Sequence, residues 1–174
     1  MKDHSLFFFA IPLPEDIREE IQIITEEISL KYDTKKALSS EPHITIIPPF
    51  WYPGTKVDTL KNVISHVSKF IWEFPILLNG YDTFPRNVLF IHVVPSDELQ
   101  SCHDQTYNCL PQDLYYKVKR YPEYNPHITI AFKDISAESF AEAKKEYLTK
   151  EYLRAFSFNG LALYQHNGKT WDRK

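Results

Sequence analysis

The sequence predicts an α+β fold in which two similar lobes, each an antiparallel sheet with helices on its outer face, enclose a cleft on a pseudo-two-fold axis. The first observation is a pentapeptide that occurs as Pro42-His43-Ile44-Thr45-Ile46 and again, 84 residues later, as Pro126-His127-Ile128-Thr129-Ile130. In a strand alternate residues share a face. Each copy therefore offers an imidazole and a hydroxyl on one face and two isoleucines on the other.

The second observation is that the repeat is wider than the pentapeptide. Residues 6–17 align with residues 88–99, since both run from an apolar strand through a proline into the acidic start of a helix. Asn79-Gly80 likewise recurs as Asn159-Gly160. Two copies of about 80 residues are too few and too long for a solenoid and favour a duplicated two-lobed fold.

Chain length agrees with this interpretation. At 174 residues the chain has the length of one domain, or of two small lobes that share a core. We therefore predict a single domain, residues 1–174, with internal repeats at about 1–84 and 85–174.

Apolar periodicity predicts the elements in order. Residues 6–11 are bulky and uncharged, as in a central strand, and Pro12 ends the strand. Isoleucines spaced by 4, 3 and 4 positions predict an amphipathic helix at 15–30 with acidic residues in its first turn. The same reasoning predicts a motif strand at 43–47, a helix at 58–70, strands at 74–78 and 88–93, a helix at 97–110, the second motif strand, a helix at 137–148 and a late strand at 156–164.

Charge and cysteine content limit the possible partners and compartments. A formal charge of −3 is unlike that of a protein that grips long nucleic acids, although a cleft with local positive charge could bind a small phosphorylated substrate. Cys102 and Cys109 lie two turns apart on a predicted helix, roughly 10 Å, which is too far for a disulfide. The apolar stretch 6–13 is too short for a membrane span and no cleavage site follows it. We expect a cytoplasmic monomer with reduced thiols and no membrane partner.

Two imidazoles that face one cleft suit general acid–base catalysis, because an unperturbed histidine titrates near pH 6.5. Opening a cyclic phosphodiester needs a base for the attacking water and an acid for the departing ribose oxygen, and His43 and His127 could fill either role. The hydroxyls of Thr45 and Thr129 can bind the non-bridging phosphate oxygens. The sequence has no carboxylate cluster or HExxH motif, so we expect no metal and no cofactor.

A structural interpretation of the motif has to be weighed against the catalytic one. A single His-x-Thr on a strand is usually only part of a β-rich edge. Duplication alone would preserve the isoleucines, but it gives no reason to keep two exposed His/Thr faces. The pair therefore favours catalysis.

On these residues the sequence resembles the 2H phosphoesterase superfamily, named for two His-x-Thr/Ser-x motifs, and most of all its bacterial branch, called 2′-5′ RNA ligase or RNA 2′,3′-cyclic phosphodiesterase. The resemblance covers nearly the whole chain and is carried by residues 6–14, both motifs, residues 84–90 and residues 159–163. It implies a two-lobed fold, metal-free catalysis by His43 and His127, phosphate binding by Thr45 and Thr129, and a 2′,3′-cyclic phosphate, a 2′-5′ linkage or a related phosphodiester as substrate.

Further candidate contacts are less specific. Arg86 could offer a guanidinium to phosphate or be a solvated loop charge. Aromatic residues near the motif strands could stack on a base or cap the rim of the core: Trp51, Tyr52, Tyr121 and Tyr124. A basic run upstream of the second motif could attract an RNA end or form a solvated face: Lys117, Lys119 and Arg120. The remaining histidines have no copy at matching positions and are interpreted as structural or surface residues: His4, His66, His92, His103 and His166.

Together these observations predict a metal-independent phosphodiesterase that opens 2′,3′-cyclic phosphates of RNA ends or small cyclic nucleotides. Two alternatives stay open. The reverse reaction would make the protein a 2′-5′ RNA ligase that uses the same residues. A noncatalytic module that binds RNA ends or nucleotides would keep the cleft without needing both imidazoles.

Overall fold

The computed structural model describes residues 4–121 and 123–174. Its helices and strands are β1 (His4–Pro12), α1 (Glu15–Tyr32), β2 (His43–Pro53), α2 (Val57–Val67), β3 (Pro75–Phe84), β4 (Val88–Val93), α3 (Asp97–Asn108), α4 (Gln112–Tyr115), β5 (His127–Ala131), α5 (Ala137–Tyr147), β6 (Leu153–Ser157), β7 (Ala162–His166) and β8 (Trp171–Arg173). Short 3₁₀ helices lie at Lys36–Ser39 and Gly54–Lys56.

The described strands form two antiparallel four-stranded sheets. The first has the order β2-β1-β7-β8 and the second has the order β5-β4-β3-β6. The opening strand of each repeat, β1 or β4, lies inside its sheet, and each motif strand, β2 or β5, lies at an edge. The predicted α+β fold with two antiparallel lobes is confirmed.

The sheets do not follow the boundaries of the sequence repeats. β3 comes from the first repeat but pairs with β4, and β7 comes from the end of the chain but pairs with β1. The prediction of one strand at 156–164 is wrong, because β6 belongs to the second sheet and β7 to the first. The chain turns between them at Gly160, whose φ of +97° is rarely adopted by residues with a side chain.

Alternation along β1 separates a core face from an open face. Phe7, Phe9 and Ile11 belong to the main hydrophobic core, whereas Phe8 and Ala10 belong to a small cluster on the opposite face of the sheet. The isoleucines of both motif strands are buried in the main core: Ile44, Ile46, Ile128 and Ile130. Because neighbours along a strand point to opposite faces, this burial turns both His/Thr pairs away from the core.

Helices connect each lobe to the motif strand of the other. α1 contacts β5 of the second sheet, α3 contacts β2 of the first, and β2 and β5 contact each other. α1 is suited to this position because Ile17, Ile21 and Ile28 bury one of its faces. The crossed packing therefore brings the two motif strands together.

Two further features bear on the sequence predictions. Both cysteines are free, as predicted, and Cys102 is buried in the core. Within residues 4–121 and 123–174, every helix falls short of the length and apolar content that crossing a membrane requires.

Candidate active site

A cleft of about 460 Å³ lies over the open face of the first sheet. His43 and Thr45 line it from β2, and Thr129 lines it from β5. His127 lies two residues before Thr129 on the same strand and therefore on the same face. The structure thus brings the two sequence motifs to one place, although they are 84 residues apart in the chain.

A main-chain hydrogen bond fixes the His43 ring. Its Nδ1 lies 2.7 Å from the carbonyl oxygen of Glu41. A carbonyl can only accept, so Nδ1 carries the hydrogen and Nε2 is the nitrogen left to exchange a proton with a substrate. The ring also stacks on Phe8, with centroids 4.7 Å apart.

The side chain of Glu41 is itself held in place by two neighbours. The Tyr164 hydroxyl donates to the Glu41 carboxylate at 2.6 Å, and Arg18 lies 3.7 Å from the other carboxylate oxygen. Tyr164 in turn stacks on Phe8 at 4.7 Å. The backbone carbonyl that orients His43 therefore belongs to a residue anchored on both sides.

His127 is oriented in the same way but in different surroundings. Its Nδ1 lies 2.8 Å from the carbonyl oxygen of Asn125, so Nε2 is again the nitrogen left over. Phe84 meets the ring edge-on at 4.8 Å and Phe90 lies at 5.2 Å. The neutral Asn125 thus occupies the position that the anionic Glu41 occupies beside His43.

Burial lowers the pKa of both histidines below the usual 6.5. For His43 a positive charge on His127 lowers the pKa further, while the Glu41 carbonyl and carboxylate act in the opposite direction. For His127 the bond to the Asn125 carbonyl partly offsets the effect of burial. Because protonation of one ring disfavours protonation of the other, the pair takes up its two protons in separate steps, and the singly protonated state lies below the usual pH range of histidine. One ring is then able to accept a proton while the other is able to donate one.

Tyr124, a predicted aromatic contact, connects the first motif strand to the segment that precedes the second. Its ring is stacked on buried His103 at 4.7 Å, and its hydroxyl donates to the carbonyl of Thr45 at 2.7 Å. Its backbone N–H donates to the side chain of Gln100 on α3. The tyrosine therefore positions the first motif strand against the segment that leads into the second.

The other predicted aromatic contacts lie outside the residues that line this cleft. Tyr52 is buried, with its hydroxyl 3.4 Å from Asp113, so it belongs to the core rim. Trp51 pairs with Leu6 on the sheet face that carries Phe8, and 64% of its surface is exposed. Tyr121 is 46% exposed and lies under the Lys119 ammonium.

The predicted basic contacts also lie outside that lining. Arg86 is exposed in the tight turn between β3 and β4. Lys117 and Lys119 are exposed before β5, and Arg120 is paired with Asp104 at 2.8 Å. As charge runs commonly do, this segment forms a solvated face.

Sequence reasoning missed several cleft residues. The cleft is also lined by two lysines and three aromatic or imidazole rings: Lys36, Lys133, Phe132, His166 and Trp171. A signal existed for Phe132 and Lys133, since they directly follow the second motif strand. His92 is not part of this lining, but it lies opposite His127 in the strand register and so shares its face.

The cleft lining combines the carboxylate of Glu41, the imidazole of His43 and the hydroxyls of Thr45 and Thr129. Among residues 4–121 and 123–174, no group of three histidine, cysteine, aspartate or glutamate side chains is placed to hold a metal ion.

Comparison with known proteins gives concordant results. A family model described as the 2′-5′ RNA ligase superfamily matches residues 13–170. A Bacillus licheniformis protein with the name "Putative phosphoesterase" is 25% identical over 119 residues, which is 66% of this chain and 66% of that protein. The fold is similar to that of E. coli LigT in complex with 3′-AMP, with a TM-score of 0.63, 16% identity, and coverage of 99% of this chain and 94% of LigT. It is similar to TT0787 of Thermus thermophilus, with a TM-score of 0.65, 15% identity, and coverage of 97% of this chain and 93% of TT0787.

Proposed function

Because the chain belongs to the 2′-5′ RNA ligase superfamily, we propose that it is a metal-independent phosphodiesterase that opens 2′,3′-cyclic phosphates of RNA ends or nucleotides. The observation that carries the proposal is the matched state of the two histidines. His43 and His127 each bind a carbonyl through Nδ1 and keep Nε2 for the substrate, at the site where Thr45 and Thr129 line one cleft. A cytoplasmic location agrees with the two free cysteines.

The reaction needs one neutral and one protonated imidazole. The neutral ring takes a proton from water as the water oxygen bonds to phosphorus. The protonated ring gives its proton to the ribose oxygen as the bond from that oxygen to phosphorus breaks. The product is a ribose phosphomonoester with a free neighbouring hydroxyl. The two rings have then exchanged protonation states and return through exchange with solvent.

Thr45 and Thr129 are placed to hold the phosphate during this exchange. Both side chains are partly exposed in the cleft, one from each lobe. Their hydroxyls can donate to the non-bridging oxygens, where negative charge builds up as water adds. Two donors on opposite walls would also align the phosphorus between the two rings.

The structural relatives support a nucleotide-sized ligand. LigT is described in complex with 3′-AMP, with ATP and with NADP⁺. The first of these, 3′-AMP, is a phosphomonoester of the kind that opening a 2′,3′-cyclic phosphate yields. If the 5′-hydroxyl of a second RNA took the place of water, it would lose its proton to the neutral ring and bond to phosphorus as the bond to the 3′ oxygen breaks. The product would be a 2′-5′ linkage, so ligation belongs in the same assay.

The test is hydrolysis of a nucleoside 2′,3′-cyclic phosphate in EDTA by wild type, His43→Ala and His127→Ala. General acid–base catalysis contributes about 10²- to 10⁴-fold, so each variant should lose at least about a hundredfold in kcat. Binding of 3′-AMP by calorimetry should persist in both. His66→Ala, an exposed histidine on α2, is the matched control and should keep the wild-type rate. Full turnover by either active-site variant would end the two-histidine mechanism, and binding without turnover by wild type would favour the noncatalytic module.

A further inference from the structure

Two lysines line the cleft together with His43 and the two motif threonines. Lys36 begins the 3₁₀ helix between α1 and β2, and Lys133 follows β5. Both are exposed and line the same cleft as His43, Thr45 and Thr129. In the described part of the chain neither lysine is paired with a carboxylate, and Lys133 only lies 5.2 Å above the ring of Phe132. The cleft therefore holds two positive charges that the proposed reaction at the scissile phosphate does not use.

Asp134 connects the two segments that carry these lysines. Its carboxylate accepts from the Thr34 hydroxyl at 2.6 Å and from the backbone N–H groups of Lys35 and Lys36 at 2.8 and 3.1 Å. Burial by itself would raise the pKa of Asp134, but these donors outweigh burial and lower the pKa. The carboxylate thus ties the segment that carries Lys36 to the residue next to Lys133, while its oxygens are occupied by donors other than the two ammonium groups.

Trp171 adds an aromatic wall to the same cleft. The indole meets Phe8 edge-on at 4.6 Å, and Phe8 in turn stacks on His43. His166 lies 5.0 Å from the indole, and the tryptophan stays partly exposed in the cleft. An indole that is fixed by ring contacts and still partly exposed in a cleft can stack on a base.

We propose that Lys36 and Lys133 form a second phosphate site and Trp171 a base-stacking surface, so that the cleft takes an oligoribonucleotide end rather than a mononucleotide. The inference rests on the proposed function. In a mononucleotide cyclic phosphate the one anionic group is the one that the histidines and threonines would engage. The internucleotide phosphate of a longer end supplies the additional negative charge that two lysines can bind. The chain carries a net charge of −3, so this positive charge is local to the cleft and not a property of the whole surface.

The test compares a nucleoside 2′,3′-cyclic phosphate with a dinucleotide that ends in the same cyclic phosphate, using Lys36→Gln and Lys133→Gln. Each substitution removes one charge-assisted hydrogen bond to phosphate. Each variant should therefore lose about tenfold in kcat/KM on the dinucleotide. The mononucleotide rate should stay within about twofold of wild type. Trp171→Ala should likewise lower kcat/KM for the dinucleotide more than for the mononucleotide. Trp171→Phe, which keeps an aromatic ring, should retain most of the wild-type kcat/KM for the dinucleotide.

Lys35→Gln is the matched control. Lys35 lies in the same segment and gives its backbone N–H to Asp134, but its side chain is not part of the cleft lining. It should leave both substrates unaffected. Equal losses on the two substrates, or none on the dinucleotide, would overturn the second phosphate site while leaving the proposed function intact. Failure of wild type to open either substrate would overturn both.

Discussion

At the residue level, the two identical motifs have different surroundings. His43 is held by a residue with a carboxylate, Glu41, whereas His127 is held by a neutral residue, Asn125. His92 also shares the sheet face of His127. Local charge therefore breaks the symmetry that the two pentapeptides have in sequence.

The lowered pKa values predict an acidic optimum. The active pair needs one proton, and burial lowers the pKa of both His43 and His127 below 6.5, so the singly protonated pair is most populated below that pH. We expect kcat/KM for a nucleoside 2′,3′-cyclic phosphate to fall as the pH rises above 6.5. The measurement is a pH–rate profile from pH 5 to 9.

Glu41→Gln is the companion variant for this profile. It keeps the backbone carbonyl that binds His43 but removes a carboxylate that raises the pKa of the ring. The alkaline limb should therefore move to lower pH. An optimum at or above about pH 7.5 in wild type, or a shift to higher pH in the variant, would contradict the assignment of the titrating groups.

At the level of elements, the segment before β5 is part of the site although it carries none of the motif residues. Tyr124 connects that segment to β2 through the Thr45 carbonyl, and the ring is supported by His103 on α3. Helix α3 itself contacts β2. The position of Thr45 is thus set by elements of the other lobe.

Tyr124→Phe tests this connection. Removing the hydroxyl leaves the Thr45 carbonyl without its donor, which should cost about 1 kcal/mol of unfolding free energy. It should also lower kcat more than it changes KM, because the loss falls on alignment of the phosphate. Both are measured by urea unfolding and steady-state kinetics.

Tyr121→Phe supplies the comparison for that variant. Tyr121 is exposed, and its ring interacts with Lys119 rather than with β2. Stability and kinetics should both stay at wild-type values. Equal behaviour of the two variants would remove Tyr124 from the site.

For the whole molecule, α1 ties the two lobes to each other. Glu146 on α5 accepts from Lys31 and from the Tyr32 hydroxyl, each at 2.5 Å. Glu20 on α1 pairs with Arg154 of β6 at 2.6 Å. Because α1 also contacts β5, these links hold the helix in the position that brings the motif strands together.

Acid should loosen this connection. Hydrogen bonds from Lys150, Lys31 and Tyr32 lower the pKa of Glu146 from 4.5 to about 2. Since the folded-state pKa is the lower one, the stabilisation is complete above pH 4.5 and is lost as the pH falls from 4.5 towards 2. Glu146→Gln should therefore lower Tm at pH 7, and the difference from wild type should shrink in that acid range.

Glu142→Gln gives the control for the acid experiment. Glu142 lies on the same helix, is exposed, and forms no ion pair with a residue in the described ranges. Its substitution should leave Tm within about a degree of wild type both at pH 7 and in the acid range. A constant difference between Glu146→Gln and wild type across the range would show that the carboxylate does not act through its charge.

Local pattern was sufficient to predict the fold class and the composition of the two motif faces. Alternation requires that burying Ile44 and Ile128 turns His43 and His127 to the other side of their strands. Isoleucines at helical spacing predicted α1 in the same way. Such features depend on residues a few positions apart, and so they can be recognised in the sequence alone.

The lobe that each late strand joins, and the residues that surround the histidines, could not be predicted from local pattern. β7 belongs to the second repeat in sequence but pairs with β1 of the first sheet. Trp171, a few residues later, contacts the ring of Phe8 on β1. Asp134 and Lys36 are almost a hundred residues apart, yet one hydrogen bond joins them. Pairing of a strand with the other lobe, and contacts between residues so far apart in the chain, depend on how the whole core packs. Local periodicity shows which face of a strand is buried, but it does not show which distant segment packs on that face. Alternation within each pentapeptide therefore predicts the two His/Thr faces, whereas their common cleft, their different neighbouring charges and the adjacent lysines depend on packing between distant segments.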